Sequence, residues 1–123
     1  MKPASRPPDS YLPLTPAVFH ILLALADGEK HGYAIMQEVG RLTDGRLRMG
    51  PGTLYGTIKR MLAERWIEET PERPDPALDD ERRRYYQLTE LGSKLAVAET
   101  RRLSCLLKRA RGKRLLGNYG GVA

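Results

Sequence analysis

The chain has 123 residues, with 21 Lys and Arg against 15 Asp and Glu, a formal net charge of +6 and a pI near 9.7. That length suits one domain with a modest core and excludes a multidomain enzyme, while the charge favours a polyanionic partner: nucleic acid, an anionic membrane surface or an acidic protein. The single cysteine, Cys105, excludes an intramolecular disulfide and fits a reducing compartment.

Residues 1–13 contain Pro3, Pro7, Pro8 and Pro13 and no apolar h-region. The composition predicts a flexible arm, an unengaged tail in preference to one whose Lys2 and Arg6 touch DNA, and no signal peptide. The longest apolar run, residues 18–26, is interrupted by His20 and is far below the roughly 20 residues that span a bilayer. A cytoplasmic protein without membrane contact is expected.

Thr15 followed by Pro16 is an N-cap with proline at the first helical position, and Val18, Ile21, Leu22 and Leu25 form the buried stripe of a first helix ending before Asp27-Gly28. A second helix from near His31 to Leu42 buries Ile35, Met36, Val39 and Leu42, with Gly45 as the left-handed residue beyond its end. A third begins at Pro51 and buries Leu54, Ile58, Met61 and Leu62. This leaves Thr53, Gly56, Thr57, Lys59 and Arg60 on or near the opposite face, with no carboxylate before Glu64. A surface helix of an enzyme more often mixes Glu with Lys, whereas a helix that lies among phosphates and base edges excludes acids. The third helix therefore reads as a recognition helix. Gly56 costs about 1 kcal/mol against alanine in a helix and falls at the centre of the exposed face; it either permits close backbone approach to a ligand or is merely tolerated.

Residues 66–70 and 82–89 are rich in aromatic and β-branched residues and flank a segment with Pro71, Pro74, Pro76, Asp75, Asp79, Asp80 and Glu81. They read as a small antiparallel β-hairpin, a wing whose Arg82, Arg83 and Arg84 either grip phosphates or pair with the loop's acids. Thr89 caps a last helix in which Leu91 and Leu95 continue the core, while Leu103, Leu106, Leu107 and Ala110 extend past it. An apolar stripe beyond the core implies a partner, most simply a second copy through an isologous contact. Arg101, Arg102, Lys108, Arg109, Arg111, Lys113 and Arg114 surround that stripe, and Gly112 and Gly117 predict fraying. The expected fold is mainly α with a small β-hairpin: an arm over 1–13, a winged helix-turn-helix domain over 14–90, a C-terminal dimerisation helix over 91–116 and a disordered tail over 117–123.

With these pieces in order, residues 14–107 resemble the PadR family of bacterial transcriptional regulators. The resemblance rests on Leu14-Thr15, His31-Gly32-Tyr33-Ala34-Ile35, Gly52-Thr53-Leu54-Tyr55, Lys59-Arg60 and the run Arg84-Tyr85-Tyr86-Gln87-Leu88-Thr89-Glu90-Leu91-Gly92. It implies a winged helix-turn-helix dimer made mainly by the last helix, and repression of a promoter relieved by a small effector. It also places Tyr33, Thr53, Tyr55 and Lys59 near DNA backbone or bases. Two departures stand out. Gly56-Thr57 replaces a proline and a small residue, and Arg65-Trp66 stands where relatives carry a glycine before the strand, so Arg65 must occupy a turn that glycine makes easily. A single last helix resembles the short members, without a separate multi-helix dimerisation domain.

Catalysis is not expected, because His20 and His31 lack a Ser, Cys or paired-acid setting. His20, His31 and Cys105 lack metal-ligand spacing, and the glycines around Pro51 lack phosphate-loop spacing. No cofactor is predicted. Tyr33, Trp66 or Tyr11 offer stacking surfaces for a small aromatic effector, although core packing accounts equally well for Trp66. The rival to a DNA-binding regulator is a winged-helix module that binds protein through its last helix and does not bind DNA; RNA binding is a third reading, weakened by the missing aromatic platform.

Overall fold

The computed structural model describes residues 6–70 and 84–116. Residues 1–5, 71–83 and 117–123 lie outside the described residues, and with them Lys2, the acidic wing segment, Arg82, Arg83 and the expected tail.

Helix α1, Pro16–Leu25, starts as the sequence dictates: the Thr15 hydroxyl accepts the Val18 N–H at 3.3 Å and Pro16 fills the first helical position. Val18, Ile21, Leu22, Ala24 and Leu25 are buried, and full burial of an aliphatic side chain contributes about 1.5–3 kcal/mol. Helix α2, Gly32–Leu42, is capped by His31, whose Nδ1 accepts the Ala34 N–H at 3.2 Å. Ile35 and Val39 are buried and Met36 half-buried, but Leu42 is 44% exposed, contrary to the expected stripe. The chain leaves the core there through a tight turn with Asp44 at φ 52° and Gly45 at φ 77°, in which the Gly45 N–H donates back to the Gly40 carbonyl.

Helix α3, Pro51–Ala63, buries Leu54, Ile58 and Met61, with Leu62 half-buried. Just beyond its end Arg65 holds φ 63°, and the N–H groups of Arg65 and Trp66 donate to the Leu62 and Met61 carbonyls, each at 3.0 Å. This is the left-handed closing turn that glycine makes easily and arginine makes at a cost.

The hairpin is shorter than its sequence suggests: β2 spans Ile67–Glu69 and β3 Tyr85–Leu88. Sequence reading missed β1, Lys30–His31, which pairs antiparallel with the other side of β3 to give the order β1-β3-β2. Lys30 lies opposite Tyr86, and Ile67 opposite Leu88. The buried Tyr86 sits at the middle of this sheet, where burial pushes its hydroxyl above the usual phenol range.

Helix α4, Glu90–Gly112, ends at Gly112, short of the expected span to residue 116. The Thr89 hydroxyl accepts the Gly92 N–H at 3.0 Å and lies within bonding distance of the Arg65 and Trp66 carbonyls. A Cβ on Gly92 would stand 1.9 Å from the Trp66 carbonyl oxygen, so this glycine is required by close approach. Leu95 and Glu99 are buried against the core, which makes the first part of α4 continuous with the winged domain.

Residues 6–13 depart from the expected arm. Pro8–Tyr11 form a 3-10 turn packed on α4, the Tyr11 ring meets Trp66 edge-on at 5.4 Å, and Arg6 lies over the Tyr11 ring at 4.2 Å. Tyr11, Leu12 and Leu14 cover core surface, an apolar contribution that the surrounding prolines obscure in composition. The segment is pinned by Glu99, only 2% exposed, whose carboxylate accepts the Leu14 N–H at 3.2 Å and two bonds from the Arg102 guanidinium at 2.6 and 2.9 Å.

Candidate nucleic-acid interface

Helix α3 owes its position to its buried stripe, and that stripe fixes what faces outward. Thr53, Tyr55, Gly56, Lys59 and Arg60 are exposed. Thr57 is not: it is 8% exposed and its hydroxyl donates to the Thr53 carbonyl at 2.8 Å. The expectation that Thr57 belongs to the reading face is corrected by its neighbour Ile58, since both turn toward the core. A Cβ on Gly56 would meet nothing within 4 Å, so no contact among the described residues demands glycine there. The outer face carries two cations and, over 51–63, no acid.

Tyr55 is 40% exposed, and its hydroxyl end occupies the space beside Gly32: a Cβ on Gly32 would lie 2.2 Å from the Tyr55 oxygen. Tyr33, next in sequence, is 60% exposed. The structure thus brings the start of α2 against the tyrosine of α3. Sequence reading missed the turn into α3, where Arg46 and Arg48 are exposed while Leu47 and Met49 turn inward. Their alternation over four residues was the available signal.

In the wing, Arg84 pairs with Glu69 at 3.0 Å, and Gln87 donates to Glu68 at 2.9 Å. Among the described residues, the acids that these two contacts bring to the strand are Glu68 and Glu69 of β2. On α4 the last buried residue is Glu99; residues 100–112 continue for about 20 Å at 1.5 Å per residue. Along them Leu103, Leu106 and Leu107 are exposed and Ala110 half-exposed. Tyr11 and Trp66 are spent on each other, and Trp66 is buried in the core, so core packing explains Trp66. Among the described residues its indole N–H finds no acceptor. An open groove of about 720 Å³ runs beside the junction of the Pro8–Tyr11 turn and α4, lined by Leu12, Val97, Ala98, Arg101 and Cys105 among others.

The imidazoles are structural. His31 caps α2, and the His20 Nδ1–H donates to the Pro16 carbonyl at 2.7 Å. Among the described residues no three His, Cys, Asp or Glu gather into a metal site, and no helix is long and apolar enough to cross a membrane.

Comparison with known proteins places this geometry. The model of the transcriptional regulator PadR-like family matches residues 21–97. The chain is 36% identical over 83 residues to the transcriptional regulator Rv3488 of Mycobacterium tuberculosis, covering 68% of this chain and 70% of that protein. It is 35% identical over 86 residues to an uncharacterized 37.1 kDa protein in transposon TN4556 of Streptomyces fradiae; the match covers 70% of this chain but spans only 22% of that protein. Among solved structures, a PadR family transcription regulator from Clostridium difficile superposes with a TM-score of 0.65 at 21% identity, over 84% of this chain and 100% of that one. A transcriptional regulator from Clostridium thermocellum gives 0.63 at 24% identity, over 85% and 90%. At these identities the structural likeness establishes the fold.

Proposed function

The chain belongs to the PadR-like family of transcriptional regulators, and from that membership we propose that it binds duplex DNA sequence-specifically, as a homodimeric repressor on a near-palindromic operator. The observation that carries the proposal is the outer face of α3, where Thr53, Tyr55, Gly56, Lys59 and Arg60 stand exposed with no acid among them. Lys59 and Arg60 anchor to phosphates or guanine edges, Thr53 and Tyr55 supply hydrogen bonds, and Tyr33 extends the contact from α2. Gly56 lets the helix backbone approach the groove floor. Thr57 acts from behind this face, through its bond to Thr53, and Arg82, Arg83 and Arg84 of the wing hold flanking backbone. Two protomers joined through Leu103, Leu106, Leu107 and Ala110 present their α3 helices to major grooves about 34–36 Å apart. The groove beside α4 is the seat assigned to a small effector, since a ligand there sits against the helix that joins the copies.

Selection from random duplex DNA tests the reading: a symmetric motif with half-sites about one helical turn apart should emerge. No enrichment, or equal capture of single strands and RNA, refutes it. Lys59→Ala should weaken binding to all sequences and flatten the salt dependence by about one, and Gly56→Leu should abolish specific binding while leaving the fold intact. The exposed leucines of α4 favour one other reading, a protein-docking module, which the same selection separates by its failure to recover DNA.

A further inference from the structure

The turn that leads into α3, residues 43–50, is more tightly built than a connecting loop requires. The Thr43 hydroxyl donates to the Val39 carbonyl at 2.9 Å and accepts the Leu47 N–H at 3.1 Å, tying both ends of the turn to one side chain. The Gly45 N–H reaches the Gly40 carbonyl at 2.7 Å, the Arg46 N–H the Thr43 carbonyl at 3.0 Å, and the Arg48 Nε the Gly45 carbonyl at 3.2 Å. Leu47 and Met49 are anchored inward, which leaves Arg46 and Arg48 on the outer side of a fixed backbone. Asp44, exposed in the same turn, is the one acid between α2 and α3, against these two cations. A helix that reads base edges with its N-terminal residues brings the chain just before it to the groove wall, where the phosphates lie.

We infer that this turn is a preorganised clamp for the phosphodiester backbone, in which Arg46 and Arg48 contact the DNA strand bordering the groove that α3 occupies and Thr43 positions them. The inference rests on the DNA-binding reading above and adds to it residues that lie outside the recognition helix. A guanidinium held on a fixed backbone loses less freedom on contact than one on a mobile loop. Thr43 therefore contributes to binding only through the arginines it positions.

The test needs no operator: a mixed-sequence 30-base-pair duplex is titrated by fluorescence anisotropy across a range of salt concentrations. The slope of log K against log salt should be shallower by about 1.8 per bound protomer in Arg46→Ala/Arg48→Ala, at about 0.9 per phosphate contact. Lys94→Ala, an α4 cation paired with Glu90, should leave the slope unchanged. Thr43→Val should weaken binding about threefold to tenfold in the wild-type background and hardly at all in the double arginine variant, whereas a purely structural defect costs the same in both. A double variant with the wild-type slope overturns the clamp while leaving DNA binding intact. A wild-type protein with no salt-dependent duplex binding overturns the DNA-binding reading itself, and with it the clamp.

Discussion

Replacing Glu99 by alanine tests how the segment before α1 is held on α4. In the folded protein this carboxylate is buried and takes three hydrogen bonds, one from the Leu14 N–H and two from Arg102. Removing one member of a buried pair typically costs about 3–5 kcal/mol; here Arg102 remains about a third exposed and regains water, which moves the expected loss to about 2–3 kcal/mol. Glu99→Gln keeps the shape and an acceptor for Leu14 but not the charge, and should lose about 1 kcal/mol. The hydrogen bonds from Arg102 hold the Glu99 carboxyl below the usual carboxylate range, against the opposing effect of burial. Because the folded value lies below the unfolded one, about 4.3, the stabilisation is complete above that pH and is lost as pH falls through the folded value. Urea unfolding at fixed protomer concentration, followed through the fluorescence of the single Trp66 beside this segment, reads both effects. An alanine variant within 0.5 kcal/mol of wild type, or a gap between wild type and Glu99→Gln that persists unchanged to pH 2, would falsify the pinning role.

Three further outcomes are expected. Arg65→Gly should raise stability by about 0.5–1 kcal/mol, because the left-handed turn costs an L-residue about 1–2 kcal/mol and glycine returns part of that gain as unfolded-state entropy; a lower urea midpoint would mean the arginine side chain contributes more than its backbone costs. Gly92→Ala would gain about 1 kcal/mol in an open helix, yet its Cβ would collide with the Trp66 carbonyl at 1.9 Å, so a net loss of about 3 kcal/mol is expected by thermal or urea unfolding. Leu103→Glu/Leu106→Glu should sediment as a monomer with an unchanged far-ultraviolet spectrum, since both side chains are exposed in the protomer; a dimer at the same concentration would move the contact elsewhere.

The helices were legible because their starts are chemically marked: Thr15 before Pro16, Pro51 at the first position of α3, and Thr89 bonding three residues ahead. The strained turn at Arg65 followed from a side chain standing where relatives carry glycine, and φ 63° is its outcome. What stayed hidden depends on long-range contacts. Lys30–His31 has no run of β-forming residues and becomes a strand only because β3 lies beside it. Thr57 borders the buried stripe, and periodicity alone does not decide which side of the boundary it takes. Residues 6–13 look unstructured by composition, and their order comes from an acid 85 residues away that accepts the Leu14 N–H. That acid did leave a trace, as Glu99 interrupts the apolar spacing between Leu95 and Leu103 with an arginine three positions on.

The contact of Tyr55 with the bare backbone at Gly32 has a consequence for engineering. The space that the outward tyrosine occupies depends on a missing methyl group on a different helix, so on the proposed DNA-binding reading part of what α3 presents is set outside the segment that would be exchanged in a graft. Transplanting 51–63 into a relative with alanine at the position of Gly32 would deliver the right side chains at a displaced angle. A chimera that carries residues 31–63 as one cassette keeps seat and occupant together.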